Sequence, residues 1–167
     1  YMSYREKDEN LKNHVFVKHI SSGEVKKVIV EGEELIRGYG WANDERLVYV
    51  MDKGGNEDYH LFAVDVSGEN QQELTPYEGV KVNMLEMLKD DKDHMIISMN
   101  KNNAEVFDPY KINITNGETE QLYENKDLIN PIMDYVFDKD GNLRVDKVTC
   151  WIRSNFFFFI FFLNLKK

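Results

Sequence analysis

The sequence predicts an all-β chain that forms part of a β-propeller, and three observations lead to this fold class. Strand-forming Val, Ile, Tyr and Phe are frequent, whereas stretches with helical periodicity are scarce. One hairpin-like pattern occurs three times, with its turn glycines, Gly23, Gly68 and Gly117, 45 and 49 residues apart. An acidic turn between two apolar runs recurs in phase, as WANDERLVYV, LKDDKDHMII and FDKDGNLRV. Two hairpin signals in each such repeat are typical of four-stranded propeller blades.

The apolar runs place the strands. One whole blade, from inner to outer strand, reads LIRGYGWA, RLVYVMD, YHLFAVDV and QQELTPY. The next blade reads VNMLEML, HMIISMN, YKINIT and EQLYE. The last three strands of an earlier blade are YMSYRE, HVFVKHIS and VKKVIVEG, and a later blade begins with IMDYVFD and LRV. Alternation from Lys111 to Thr115 predicts a strand with one buried face, and the apolar run Leu47 to Met51 predicts burial of both faces.

The predicted propeller is incomplete. About three four-stranded antiparallel blades are present, whereas about 4–8 blades close a propeller ring. We divide the chain into a partial propeller, 1–149, with blade segments of about 1–32, 33–78, 79–125 and 126–149, and a Phe-rich tail, 150–167. Because an open ring leaves sheet edges and apolar faces exposed, we expect the chain alone to be marginally stable or prone to aggregation.

Both ends of the sequence are unusual. The opening YMSYRE already reads as the middle of a strand, so we expect the natural N-terminus to be missing. Near the other end, the apolar run Phe156 to Leu163 is shorter than the roughly 20 residues of a membrane-spanning helix. We interpret the tail as foreign to the fold, for example a frameshift or read-through, with a membrane anchor as the alternative.

Charge and cysteine content exclude several classes. The formal net charge of −9, with no basic patch, argues against nucleic acid as a partner. The single cysteine, Cys150, excludes an internal disulfide and a cysteine-based zinc site. Together with the family resemblance given below, it favours a cytoplasmic setting. No membrane partner, cofactor or metal is expected, and the sequon at Asn113 is interpreted as a chance occurrence.

Three segments resemble the propeller of the prolyl oligopeptidase family of serine peptidases, especially its acylaminoacyl-peptidase-like and dipeptidyl-aminopeptidase-like branches. They are YVMDKGGNEDYHLFAVDVSGENQQELTPYEGVKV, MIISMNKNNAEVFDPYKINITNGE and FDKDGNLRV. The first combines an acidic Gly-rich turn with an aromatic-His-Leu strand and the ending Leu74-Thr75-Pro76. The resemblance covers roughly Tyr1 to Val145. Propellers of the TolB type share the Val-Asp and Leu-Thr strand endings, so the resemblance to the peptidases depends on GGNEDYHLF together with NKNNAEVFDPYK.

The resemblance implies a protein of two parts, a propeller and an α/β-hydrolase domain that carries a Ser-Asp-His triad. The triad serine normally lies in a Gly-x-Ser-x-Gly turn. No serine of the chain has glycines at that spacing; the serines are Ser3, Ser21, Ser22, Ser67, Ser98 and Ser154. None of the histidines is expected near a nucleophile; they are His14, His19, His60 and His94. His94 and Ser98 are predicted to share one strand face as a packed pair. We therefore assign no catalytic, cofactor-binding or metal-binding residue.

Other polar and aromatic groups are interpreted structurally. Two acidic sets are predicted to be solvated turns, because neither has EF-hand spacing; they are Asp52, Glu57 and Asp58, and Asp90, Asp91 and Asp93. Glu33 and Glu34 resemble a substrate-holding pair of some dipeptidyl peptidases, but lie in a connection between blades without the helical motif of those enzymes. Interblade packing is predicted for the aromatic set Tyr39, Trp41, Tyr59, Phe62 and Phe107.

These observations predict a non-catalytic propeller segment of a prolyl-oligopeptidase-type serine peptidase. Its expected partners are the hydrolase domain of the same parent protein, absent from this chain, and the short peptides to which it controls access. The predicted inner strands Ile36 to Ala42 and Val82 to Leu88 would line the entry path. A stand-alone TolB-like propeller that serves as an interaction module, and a non-functional truncated product, are the alternatives. The chain alone is not expected to hydrolyse peptides.

Overall fold

A computed structural model describes residues 1–129, 131–152 and 155–161. These residues form strands and connections with no helix, in four antiparallel sheets. The chain divides into two compact units, one of Tyr1–Lys81 with Ile114–Gly117, the other of Val82–Asn113 with the residues from Glu118 onward. The all-β class is confirmed, with open sheets of three or four strands, and the fold is that of an incomplete propeller.

The first unit contains two sheets. Sheet 1 has three strands in chain order, β1 (Met2–Lys7), β2 (Asn13–Lys18) and β3 (Val25–Val30). Sheet 2 has four, β4 (Ile36–Trp41), β5 (Arg46–Asp52), β6 (Tyr59–Asp65) and β7 (Gln72–Glu73). Every pair of neighbours is antiparallel, because consecutive strands are joined by short hairpins.

Apolar alternation fixes which faces of sheets 1 and 2 meet. Val15 and Val17 of β2 pack in one cluster with Leu47 and Tyr49 of β5. On β1, the face of sheet 1 that carries Val15 and Val17 is polar. There Ser3 accepts a hydrogen bond of 2.8 Å from the Trp41 indole N–H. β5 is buried on both faces, as its unbroken apolar run predicts.

The outer strand of sheet 2 is shorter than predicted, and the reason lies in its sequence. Regular pairing with β6 ends at Glu73, although the Leu74 N–H still bonds the Leu61 carbonyl at 2.8 Å. The Leu61 N–H then donates to the Thr75 hydroxyl, also at 2.8 Å, in place of a backbone carbonyl. Pro76 follows, and it has no N–H with which to continue a ladder. The prediction of a strand through Tyr77 is therefore wrong.

The second unit contains the other two sheets. Sheet 3 has four strands, β8 (Val82–Met87), β9 (His94–Met99), β10 (Asp108–Asn113) and β11 (Thr119–Gln121). Sheet 4 has three, β12 (Ile132–Phe137), β13 (Leu143–Ile152) and β14 (Asn155–Phe161). The core between them is built by Leu88, Ile96, Ile132, Tyr135 and Phe137.

Part of the Phe-rich tail is strand. β13 crosses the predicted boundary between 149 and 150, and β14 pairs with it from Asn155 to Phe161. Residues 153, 154 and 162–167 of the tail lie outside the described residues. The foreign origin of the tail and the segment boundaries stay predictions.

The three repeat glycines adopt the positive φ that their tight turns require. The angles are 75° at Gly23, 82° at Gly68 and 76° at Gly117. At Gly117 there is a second constraint, because a Cβ would lie 2.7 Å from the Leu74 carbonyl oxygen. No atom lies within 4 Å of the equivalent point at Gly23. The prediction that glycine is needed at these turns is confirmed.

Candidate functional site

The repeat places a histidine at the same point of sheets 1 and 2. His14 is the second residue of β2 and His60 is the second residue of β6, and each precedes an apolar residue and a phenylalanine. Both are buried, with 5% and 4% of their surface exposed. The two rings differ in how they are hydrogen-bonded, and this difference defines the candidate site.

Both ring nitrogens of His14 are occupied. Nδ1 accepts a hydrogen bond of 3.2 Å from the Glu31 N–H, which places the proton of a neutral ring on Nε2. Nε2 in turn lies 3.3 Å from the Asp8 carboxylate. The pKa of Asp8 is lowered, chiefly because its carboxylate accepts the Lys12 N–H, with the bond to His14 adding to that effect. His14 thus joins the β1–β2 turn to the end of β3, which is a structural role.

His60 is hydrogen-bonded in the opposite sense. Its Nδ1 lies 2.5 Å from Oε1 of Glu73, which is opposite Phe62 in the β6–β7 register and thus on the His60 face. Because Nδ1 donates to this carboxylate, Nε2 carries the lone pair of the neutral ring. Among the described residues no group bonds to Nε2.

Glu73 is shared between His60 and Lys53. The Lys53 ammonium lies 2.9 and 3.1 Å from the two carboxylate oxygens. Burial raises the pKa of Glu73, but the hydrogen bonds from His60 and Lys53 outweigh it, so the pKa lies below its ordinary value. Glu73 is therefore a carboxylate at neutral pH and holds the ring of His60 in one orientation.

His60 lines a pocket of about 290 Å³ at the end of sheet 2 where β5 turns into β6. Its other lining residues come from that hairpin and from the segment after β7; they are Lys53, Asn56, Asp58, Pro76, Glu78 and Gly79. Within the hairpin, Asn56 donates to Asp58 at 2.7 Å and accepts the Asp58 N–H at 3.0 Å. The pocket lining thus combines one buried histidine with two carboxylates.

One histidine lies closer to a serine than the sequence analysis expected. His19 Nδ1 is 2.9 Å from the Ser22 hydroxyl and 3.3 Å from that of Ser21, so the prediction of no neighbouring nucleophile is wrong here. The contact arises because Gly23 closes a tight turn, in which its N–H bonds the His19 carbonyl. No carboxylate among the described residues bonds the ring, so the pair lacks the group that orients a catalytic base.

The second unit holds the other predicted pair and one acidic set. His94 and Ser98 lie four residues apart on β9 and so share one strand face, as expected, and Ser98 is buried. Asp91 is not simply a solvated turn residue, because it lies 2.7 Å from the Lys111 ammonium and 2.8 Å from His94 Nδ1. The bond from Lys111, followed by that from His94, lowers the pKa of Asp91 to about 2.

Of the other acidic set, Asp52, Glu57 and Asp58, only part is a turn. Asp58 and Glu57 lie in the predicted hairpin turn, whereas Asp52 is buried, and no described group bonds its Oδ1. The prediction of a solvated turn is therefore wrong for Asp52, which is the last residue of β5. Glu33 and Glu34 lie in the connection between β3 and β4, as predicted.

The aromatic residues fall into two groups. Tyr39, Trp41 and Phe62 are partly buried against the core of the first unit, which confirms packing for these three. The ring of Tyr59 lies 4.9 Å from the Arg37 guanidinium instead. Phe107 is half-buried in the connection before β10.

A buried carboxylate in the second unit was missed by the sequence analysis. Asp108, 2% exposed, accepts hydrogen bonds from the Asn125 N–H at 2.8 Å and from the Asn102 and Gln121 amides at 3.1 Å. Asn125 in turn exchanges two bonds with the backbone of Ile132. With all its partners inside the fold, this network joins sheets 3 and 4 and leaves no group for a ligand.

Two properties of the described residues bear on metal and membrane binding. These residues contain no group of three or more His, Cys, Asp or Glu side chains arranged to hold a metal ion. Nor do they contain a helix of the length and apolar character needed to cross a bilayer.

Comparison with known proteins gave one relative in sequence. The chain is 30% identical over 110 residues to dipeptidyl aminopeptidase BIII of Pseudoxanthomonas mexicana. The match covers 65% of this chain but only 16% of that protein. No protein-family model matches the chain.

Solved structures share the fold at low sequence identity. TolB from Acinetobacter baumannii matches with a TM-score of 0.58 at 13% identity, over 98% of this chain and 38% of its own. An oligogalacturonate lyase in complex with manganese matches with a TM-score of 0.56 at 16% identity, over 90% of this chain and 39% of its own. The tricorn protease matches with a TM-score of 0.50 at 12% identity, over 99% of this chain and 16% of its own. The chain is thus a partial propeller with sequence similarity to a peptidase.

Proposed function

We propose that the chain is the non-catalytic propeller segment of a serine peptidase of the prolyl oligopeptidase type. In this role it restricts access of short peptides to a hydrolase domain that the chain does not contain. The observation that carries the proposal is the 30% identity to a dipeptidyl aminopeptidase, because the matches to TolB and the lyase concern the fold alone. A cytoplasmic location is part of the same proposal.

The physical basis of the proposed restriction is steric. The edge strands β4 and β8, each joined to its sheet along one side only, correspond to the predicted inner strands. A passage lined by such strands admits an extended short peptide and excludes a folded chain. The acidic excess of the sequence, −9, would favour approach of positively charged peptides.

The chemistry of the chain agrees with a non-catalytic role. Its serines lack the Gly-x-Ser-x-Gly setting, and the serine–histidine contact at His19 belongs to a turn. Catalysis by acyl transfer needs a nucleophile, an oriented base and donors for the oxyanion. The proposal therefore assigns these groups to the hydrolase domain.

The test has two measurements. The coding sequence beyond codon 145, read in all frames, is expected to encode a Gly-x-Ser-x-Gly turn followed by Asp and then His. The isolated chain is expected to release no product from chromogenic short-peptide substrates. Further blades followed by a stop codon would favour the TolB-like interaction module, and serine-dependent hydrolysis by the isolated chain would contradict a non-catalytic role.

A further inference from the structure

We infer that the pocket beside His60 binds a guanidinium or primary ammonium group of the kind carried by an arginine or lysine side chain of a peptide. The inference does not depend on the proposed peptidase function, because it follows from the acceptors that sheet 2 brings together. It assigns a ligand-binding role to His60, Asp58 and Glu78.

The hydrogen bonds at His60 favour a ligand that donates. His60 lines the pocket and its Nδ1 donates to Glu73, so in the neutral ring Nε2 is the nitrogen left to accept a hydrogen bond. The ring is 4% exposed and cannot turn without breaking this bond. A ligand that carries N–H donors can therefore bond to Nε2. A carboxylate or phosphate has only acceptors, so it cannot form a hydrogen bond there.

His14 is the internal control for this argument. It occupies the same place in the repeat, but the Glu31 N–H fills its lone pair and Asp8 takes its proton. Among the described residues none bonds Nε2 of His60 in the way that Asp8 bonds Nε2 of His14. The open nitrogen is thus particular to sheet 2 and not a consequence of the repeat.

The charges of the pocket lining favour a cation. Among the described lining residues, Lys53 carries the one permanent positive charge, and it is paired with both oxygens of Glu73. Asp58 and Glu78 then remain as carboxylates without a cationic partner among the described residues. Guanidinium and ammonium groups carry only donors, so they complement two carboxylates and a ring lone pair.

The volume of the pocket limits the size of the ligand. Pockets for drug-sized ligands have volumes of roughly 300–1,000 Å³, and this one, at about 290 Å³, lies at the lower limit. It therefore suits one extended side chain rather than a whole peptide. The methylene stem of Lys or Arg would lie along Pro76, which is the apolar part of the lining.

The test measures protection of His60 in the whole chain at low concentration. Diethylpyrocarbonate acylates unprotonated imidazole, and peptide mass spectrometry resolves the rate at each histidine. N-acetyl-arginine amide is expected to slow acylation of His60 in a saturable manner and to leave His19, in its exposed turn, unchanged. The uncharged isostere N-acetyl-citrulline amide is expected to give no protection. Equal protection by both compounds, or none by either, would overturn the inference.

Matched variants separate the pocket from general acidity. Glu78→Gln removes an exposed pocket carboxylate and is expected to raise the half-protecting concentration about two- to five-fold, as for an exposed charge pair. Glu33→Gln removes an exposed carboxylate outside the pocket and should leave that concentration unchanged. Equal shifts in both variants would contradict a defined site. Stronger protection by glycinamide than by N-acetyl-lysine amide would assign the pocket to an α-ammonium group and overturn the side-chain assignment.

Discussion

Sheets 1 and 2 carry the same stacked aromatic pair in two different environments. Tyr4 and Phe16 stack at 5.3 Å between ring centroids in sheet 1, and Tyr49 and Phe62 stack at the same distance in sheet 2. Tyr49 is fully buried, because its face of sheet 2 packs on Val15 and Val17 of sheet 1.

The face of sheet 1 that carries Tyr4 is open by comparison. Ser3 contacts Trp41 of sheet 2, so Tyr4, the next residue on β1, points to the other face. That face exposes Met2 by 49%, Val25 by 45% and Val30 by 60%. One repeat unit is thus a core element when a neighbouring sheet covers it and an apolar surface when none does, which is the physical meaning of an incomplete ring.

The largest expected effect separates the two tyrosines directly. Tyr49→Ala should destabilise the fold by about 3–5 kcal/mol, as for other large aromatic side chains removed from a core. Tyr4→Ala, at the equivalent but half-buried position, should cost about 1 kcal/mol. Urea titrations followed by far-UV circular dichroism would measure both. Equal costs would show that the two environments do not differ energetically.

The turn glycines give the next effect. Gly23→Ala should cost about 1–2 kcal/mol, since only the positive φ opposes the new side chain. Gly117→Ala should cost more, because its Cβ would also collide with the Leu74 carbonyl. The same urea titrations apply, and a Gly117 variant no less stable than the Gly23 variant would refute the close approach.

Alkaline titration tests the burial of Tyr49. Burial raises its pKa to about 12, although the hydrogen bond with the Gln71 amide opposes this. The folded chain therefore holds the phenol proton more tightly than the unfolded chain, so this stability is complete below about pH 10 and lost by about pH 12. The loss should be on the order of 2 kcal/mol. The difference in absorbance at 295 nm between the chain and its Tyr49→Phe variant would follow the ionisation of Tyr49 alone; a midpoint near the ordinary pKa of 10.0 would contradict the burial.

The smallest effect concerns the contact between the two sheets. Ser3→Ala removes the acceptor of the Trp41 indole N–H and should cost about 1 kcal/mol. A red shift of tryptophan emission should accompany the loss, since water then reaches the ring. Ser67→Ala, in the exposed β6–β7 turn, is the control, and an equal effect there would rule out a specific role of the bond.

Most strands could be predicted because they depend on local sequence patterns, namely apolar runs and turn residues. The run Leu47 to Met51 and the turn glycines fix β5 and the hairpins before tertiary contacts are known. The end of β7 could not be predicted, because it depends on the Thr75 hydroxyl replacing a backbone group.

The candidate site was not predicted as a site, because the sequence analysis assigned no binding residue. The acidic hairpin at Asp58 is visible in the sequence, but the sequence does not show which nitrogen of His60 meets Glu73, thirteen residues away across β6 and β7. The repeat itself held a usable signal, since His14 and His60 occupy the same place in it. Likewise, Asp52 looks like a turn residue, and only its position at the end of β5 buries it.

The incomplete ring is tested most directly by calorimetry combined with sedimentation of the isolated chain. We predict self-association that increases with concentration, and a broad transition with an enthalpy well below the roughly 120 kcal/mol expected for a fully packed chain of 167 residues. A reversible melt of a monomer, with equal calorimetric and van't Hoff enthalpies near that value, would show that the open face of sheet 1 needs no neighbour and would contradict this account.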